Sequence, residues 1–162
     1  LEPALFLLSI PLAYIPLGLV AIAIWWLDLY EREPLWAVGL TLLWGALGAT
    51  FIGCAANTLF HGILADIVGP EYAGSLTAVI SAPIVEEAAK GAILLFIMLL
   101  PRTIDSITDG IVYASMAAIG FAMTENLLYF VQVLSKEGAA AWTQVVLLRT
   151  ILSAPMHVLA TT

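Results

Sequence analysis

The sequence has 162 residues, of which 62% are hydrophobic and only 10% charged, against about a quarter charged in an ordinary soluble domain. So few charges cannot cover the surface of a soluble protein of this length, and the chain reads as an integral, multi-pass membrane protein whose solvent is the lipid bilayer. The formal net charge of −7 excludes a nucleic-acid binder, because phosphate recognition needs a basic face.

A membrane-spanning helix needs about 20 mostly apolar residues. Residues 4–27 supply the first span, which ends in the interface-suited pair Trp25-Trp26. This stretch lacks a basic leader and is too long for a signal peptide. A charged loop over 28–34 leads to a second span at 35–64, followed by a loop over 66–75 in which Gly69-Pro70 signals a turn. The third span is expected at 76–100, closed by Pro101; a loop over 102–109 then leads to a fourth span at 110–134. After a loop over 135–141, the fifth span begins near Trp142 and is still running at Thr162, so the chain is expected to be part of a longer protein.

Backbone groups in lipid must be satisfied within the segment, and the apolar pattern shows no strand-like alternation. The predicted fold is therefore all-α: a polytopic transmembrane helix bundle of at least five spans, forming one membrane-embedded domain over 1–162. Gly110, Ala114, Ala117, Ala118 and Gly120 give the fourth helix a small-residue face for close packing. With Arg32 and Arg102 on one side and Lys136 on the other, the positive-inside rule favours an outside N-terminus. The single cysteine, Cys54, permits no internal disulfide and reads as a small apolar helix residue.

Glu86, Glu87, Lys90, Glu125, Asn126, Arg149 and His157 all fall inside the predicted spans. A charge at mid-bilayer costs at least about 2.5 kcal/mol, so such residues face the protein interior and usually serve function. Lys90 is one turn from Glu86 and Glu87 and reads as their structural partner; Arg149 reads likewise as the partner of a buried carboxylate. Acidity and a histidine remain after this pairing, and that surplus is what chemistry would need. Ser81-Ala82-Pro83 before the glutamates is echoed by Ser153-Ala154-Pro155 before His157, and a proline inside a helix bends or breaks it.

Depth follows from a rise of 1.5 Å per residue. Glu86 lies roughly 15 Å into its helix, Glu125 roughly 14 Å and His157 roughly 22 Å or less, all counted from the same side. Three consecutive helices thus bring reactive groups to overlapping levels. Glu86 and Glu87 are separated by about 100° around the helix, so only one is expected to face a shared centre squarely.

These residues resemble a known family. Glu86-Glu87-x-x-Lys90, then Phe121-x-x-x-Glu125-Asn126, then His157-x-x-x-Thr161, in that order on successive helices, look like the three motifs of PrsW-type membrane proteases. Those proteases are distant relatives of the CAAX prenyl endopeptidases and the bacterial Abi proteins. Ala82-Pro83, Asp109-Gly110-x-x-Tyr113 and Asp28-x-x-Glu31-x-Glu33-Pro34 are also typical of the family. Glu125 stands where the CAAX relatives carry histidine, so their mechanism does not transfer directly.

The resemblance implies an intramembrane endopeptidase of a bacterial or archaeal plasma membrane, cleaving membrane-anchored proteins such as anti-sigma factors. By similarity Glu86 would be the general base, with Glu87 second in line; Glu125 would help hold the water, and His157 would bind it or stabilise the oxyanion. Lys90, Phe121, Asn126, Arg149 and Thr161 would support them. A carboxylate in an apolar site makes an effective base, and a donor at the developing oxyanion is often the largest catalytic term.

Two routes stay open at this point. Glu87, Glu125 and His157 could ligate a divalent ion such as Zn²⁺, with Glu86 as base and His61 as an extra ligand, although His-Glu-x-x-His is absent. Alternatively the carboxylates activate water without metal. Serine or cysteine nucleophiles are not expected, since no Gly-x-Ser-x-Gly occurs and Cys54 has no motif around it. A secondary transporter with intramembrane carboxylates is the alternative function, with a non-catalytic membrane scaffold the next.

Overall fold

The computed structural model describes residues 2–27, 33–100 and 103–161, and no strand occurs among them. Helix α1 is Glu2–Leu27 and α2 is Leu35–Val68. Helix α3 covers 70–98, α4 is Ile107–Glu137, and α5 covers 139–161. Helices α1, α2 and α4 are long and apolar enough to cross a membrane. Helix α3 carries Glu86, Glu87 and Lys90 and α5 carries Arg149 and His157, and both helices are interrupted. The loop charges Asp28, Glu31, Arg32 and Arg102, and with them the expected orientation, lie outside the described residues.

Two expected loops collapse to single residues. Gly69 takes φ +91° and Gly138 takes φ +83°, a backbone region open to glycine but strained for other residues. Pro70 then starts α3 at once, because its missing N–H belongs to an unpaired helix start anyway. The stretch 66–75 is consequently helical on both sides of Gly69, and α3 begins well before residue 76. Helix α4 starts with a reciprocal cap: the Ser106 hydroxyl accepts from the Asp109 amide at 3.2 Å, and the Asp109 carboxylate accepts from the Ser106 amide at 2.8 Å.

Helix α4 is the axis of the bundle. Its most apolar stretch is 72% buried, against 22% in α1, and every residue from Val112 to Met123 is buried whatever its helical face. Its small residues make this packing feasible. A Cβ on Gly120 would fall on the Leu42 carbonyl oxygen, and one on Gly45 would fall on the Ala117 carbonyl. Helices α2 and α4 therefore cross backbone against backbone, the contact small residues allow in a membrane. Gly110, expected on this face, has open space around it instead.

Three helices contain a wide turn of π type: Trp44–Ala49 in α2, Thr77–Ser81 in α3 and Arg149–Ser153 in α5. Such turns mark an inserted residue and recur at functional sites. In α3 the turn has a local cause, since Pro83 has no N–H to return to residue 79 and its ring would crowd the preceding carbonyl. The turn in α5 likewise runs up to Ala154-Pro155, so both Ser-Ala-Pro segments follow a widened turn. In α2 the Thr50 hydroxyl donates back five residues to the Gly45 carbonyl at 3.0 Å, while Trp44 Nε1 donates across to the Ala89 carbonyl of α3 at 2.9 Å.

Near the start of α4 lies a closed polar cluster. The Tyr113 hydroxyl donates to the Glu33 carboxylate, both residues are buried, and Trp25 Nε1 donates to the Glu33 carbonyl at 3.1 Å.

Candidate active site

A second polar cluster sits about 18 Å further along α4, counting twelve residues from Tyr113 to Glu125 at 1.5 Å each. The regular part of α3 that follows Pro83 carries Glu86, Glu87 and Lys90. Lys90 is fully buried, and its ammonium is held by three groups. Nζ donates to Glu87 Oε1 at 2.7 Å, approaches His157 Nδ1 at 3.2 Å and stands 4.2 Å over the Phe121 ring. The expected pairing of Lys90 within its own helix is present, and the lysine also reaches across to α5.

Helix α4 contributes Glu125, whose Oε2 accepts from Arg149 at 2.5 Å and from His157 Nε2 at 2.9 Å. Arg149, aimed by the wide turn in α5, also donates from Nε to Asn126 Oδ1 at 2.9 Å and lies 3.9 Å over the Tyr129 ring. Arg149 is thus the expected partner of a part-buried carboxylate. The imidazole of His157 meets Phe121 edge to face at 5.6 Å. Thr161, one turn on, has its hydroxyl 2.7 Å from Glu87 Oε2 and 2.9 Å from the His157 carbonyl.

These contacts assign the imidazole tautomer. An ammonium can only donate, so Nδ1 is the acceptor, and Nε2 carries the hydrogen that points at Glu125.

Glu86, Glu87, Glu125, Arg149 and His157 share an open cleft of about 1040 Å³ between α2, α3, α4 and α5, and His61 lies on its wall. A smaller cavity of about 290 Å³ shares Glu86, Glu125, Asn57 and Tyr129 and also touches Cys54 and Phe121. Glu86 and Glu87 both line the cleft, where only one was expected to face it squarely. They differ in commitment: both Glu87 oxygens are bonded, to Lys90 and to Thr161, whereas the hydrogen bond described for Glu86 is a single one, from Asn57 Nδ2 to Oε1 at 3.2 Å. Asn57 escapes a search for ionisable residues because its side chain is neutral. A signal for it exists nonetheless: Asn57 and Ser81 are equally distant from Gly69, so an antiparallel hairpin sets them level.

The candidate metal donors are engaged by cations and hydroxyls. Glu87 is held by Lys90 and Thr161, Glu125 Oε2 is shared by Arg149 and His157, and both His157 nitrogens have partners. Among the described residues no three His, Cys, Asp or Glu side chains gather as a ligand set. A divalent ion would have to displace two adjacent cationic groups, so the donors as arranged do not fit one.

The sequence over residues 33–162 matches the family described as PrsW family intramembrane metalloprotease. The chain belongs to the PrsW family. It is also 31% identical over 156 residues to "Protease PrsW" of Clostridioides difficile (strain 630), an alignment covering 91% of this chain and 59% of that protein. The chain therefore spans less than two thirds of that relative's length. No solved structure matches it. Membership of the PrsW family accords with the helical, membrane-compatible architecture, and the family's description names a metal chemistry for which the arrangement above offers no open donor set.

Proposed function

We propose that this protein is a membrane-embedded endopeptidase that hydrolyses peptide bonds of membrane-anchored protein substrates, with Glu86 as general base. The observation that carries this reading is the contrast at the cleft: Glu87 and Glu125 are committed to cations, while Glu86 faces the same cleft and keeps acceptor capacity. A water there would give its proton to Glu86, and the resulting hydroxide would attack the carbonyl carbon of the substrate. The carbonyl oxygen gains negative charge as the tetrahedral intermediate forms. Donors aimed at such an oxyanion act strongly in a site of low dielectric. On that wall the Arg149 guanidinium has N–H groups beyond those given to Glu125 and Asn126, beside the His157 Nε2–H that Glu125 holds. Collapse breaks the C–N bond, and Glu86 returns its proton to the leaving amine, which restores the starting state.

Glu125 orients both donors, and Lys90 holds the His157 tautomer from the other side. Phe121, Asn126 and Thr161 fix the orientations of His157, Arg149 and Glu87 respectively. Nothing in this route passes through a metal.

The test is cleavage of fluorescent single-span membrane reporters by the protein reconstituted in liposomes. Glu86→Gln keeps size and hydrogen bonding but cannot take a proton, so turnover should fall by about 10²–10⁴-fold with an unchanged unfolding temperature. Retained activity in that variant would remove Glu86 as base. Prolonged chelation should leave the wild-type rate unchanged, and elemental analysis of active protein should show no stoichiometric metal. Loss on chelation with recovery on adding Zn²⁺ would establish the metal route instead.

A further inference from the structure

Asn57 lies inside α2, an apolar helix long enough to cross a membrane, where an amide without partners is costly. Its two polar ends are both engaged. Nδ2 donates to Glu86 Oε1 at 3.2 Å, and Oδ1 faces the Ser81 hydroxyl, which donates across 3.5 Å. The direction of the amide follows from chemistry, since a carboxylate offers only acceptors and the nitrogen must face it. Ser81 is buried at the end of the wide turn of α3, so the turn presents its hydroxyl to α2 two residues before Pro83.

Gly53, one turn before Asn57 on the same face of α2, completes the contact. A Cβ at Gly53 would stand 3.4 Å from Glu86 Cγ, so the absence of a side chain there lets the glutamate stem lie close to the α2 backbone while Asn57 holds its head. Stem and head of Glu86 are thus both fixed by α2, a helix that carries none of the three motif segments.

We propose that Asn57 is a positioning residue for peptide hydrolysis: its amide, steadied by Ser81, holds Glu86 Oε1 so that the carboxylate faces the cleft. The proposal rests on the reading of Glu86 as general base. A base displaced by about 1 Å loses on the order of 10²-fold in rate, whereas substrate affinity, set by the rest of the cleft, is untouched.

The experiment measures kcat and KM for Asn57→Ala, Asn57→Asp and Ser81→Ala on the liposome reporters, with Glu86→Gln alongside and an unfolding temperature for each. Asn57→Asp keeps the shape and the acceptor toward Ser81 but loses the N–H that holds Glu86. Expected are a fall in kcat of about 10–100-fold for Asn57→Ala, an equal or larger fall for Asn57→Asp, and a fall of a few-fold for Ser81→Ala, all with KM within about two-fold of wild type. If Asn57→Asp turns over within about two-fold of wild type, Asn57 acts by shape alone and the proposal fails. A raised KM with unchanged kcat would likewise overturn it, assigning Asn57 to substrate binding. Should Asn57→Ala misfold, the isosteric Asn57→Asp still decides the matter. Failure of the underlying reading looks different: Glu86→Gln is then active, or wild type cleaves no reporter.

Discussion

The two polar clusters on α4 are built from similar residues and behave differently. Around Tyr113, a carboxylate, a phenol and an indole close on one another, and Glu33 and Tyr113 are both buried. Around Glu125, an arginine and a histidine converge on a carboxylate at the wall of a cleft of about 1040 Å³. A buried ionisable residue is therefore a weak pointer to chemistry by itself. What separates the clusters is access, together with a carboxylate, Glu86, that is positioned but not neutralised by a cation of its own.

Substitutions at the two clusters should divide between activity and stability. The largest effect is expected at the open one: His157→Ala removes the imidazole that links Glu125 to Lys90 at the cleft wall, and kcat should fall by about 10²–10³-fold. The bundle should still fold, because the backbone crossing of α2 and α4 does not depend on that side chain. A variant that instead unfolds in detergent would make the open cluster structural and erase the contrast. At the closed cluster, Tyr113→Phe leaves Glu33 without its phenol donor and should lower stability by about 1–3 kcal/mol, read by thermal or denaturant unfolding, while activity per folded molecule stays at the wild-type level. Reduced turnover in a fully folded Tyr113→Phe protein would show that the two ends of α4 communicate. The smallest effect belongs to Cys54, which is exposed and touches only the smaller cavity. Cys54→Ser should change stability by no more than about 0.5 kcal/mol and leave cleavage intact, whereas abolished cleavage would reopen a thiol mechanism.

Much of this was legible in the sequence. The apolar runs that became α1, α2 and α4 are long enough that composition alone identifies them, and the cost of charge in lipid singled out Glu86, Glu125, Arg149 and His157. Depth counting brought Glu86, Glu125 and His157 together because a helix rises by a constant amount per residue. Other features were hidden for physical reasons. Gly69 and Gly138 reverse the chain through one unusual φ each, so the turns needed none of the length allotted to them. The crossing at Gly45 and Gly120 requires knowing which faces meet, and Gly110 looks equivalent in sequence while touching nothing. Asn57 has no charge, so the energetic argument that exposes glutamates in a membrane passes it by. The Thr161 hydroxyl, which with Lys90 occupies both Glu87 oxygens and leaves Glu86 the less engaged carboxylate, comes from α5 and cannot be read from α3.

Beyond the widened turn at Thr77–Ser81 the site depends on counting as well as on identity. A π turn amounts to one residue more than regular winding needs, and each residue of a helix turns the chain by about 100°. The wide turn absorbs that extra residue, so removing one residue from within it would restore ordinary winding and leave Glu86, Glu87 and Lys90 facing as they do. Removing one from the regular helix between Pro83 and Glu86 would instead swing all three together by that angle. Every residue of the Glu-Glu-x-x-Lys motif would survive the latter deletion, yet none would face its present partners on α2, α4 and α5. In α3 the spacing between Pro83 and Glu86 is thus as much a part of the site as the carboxylates it aims.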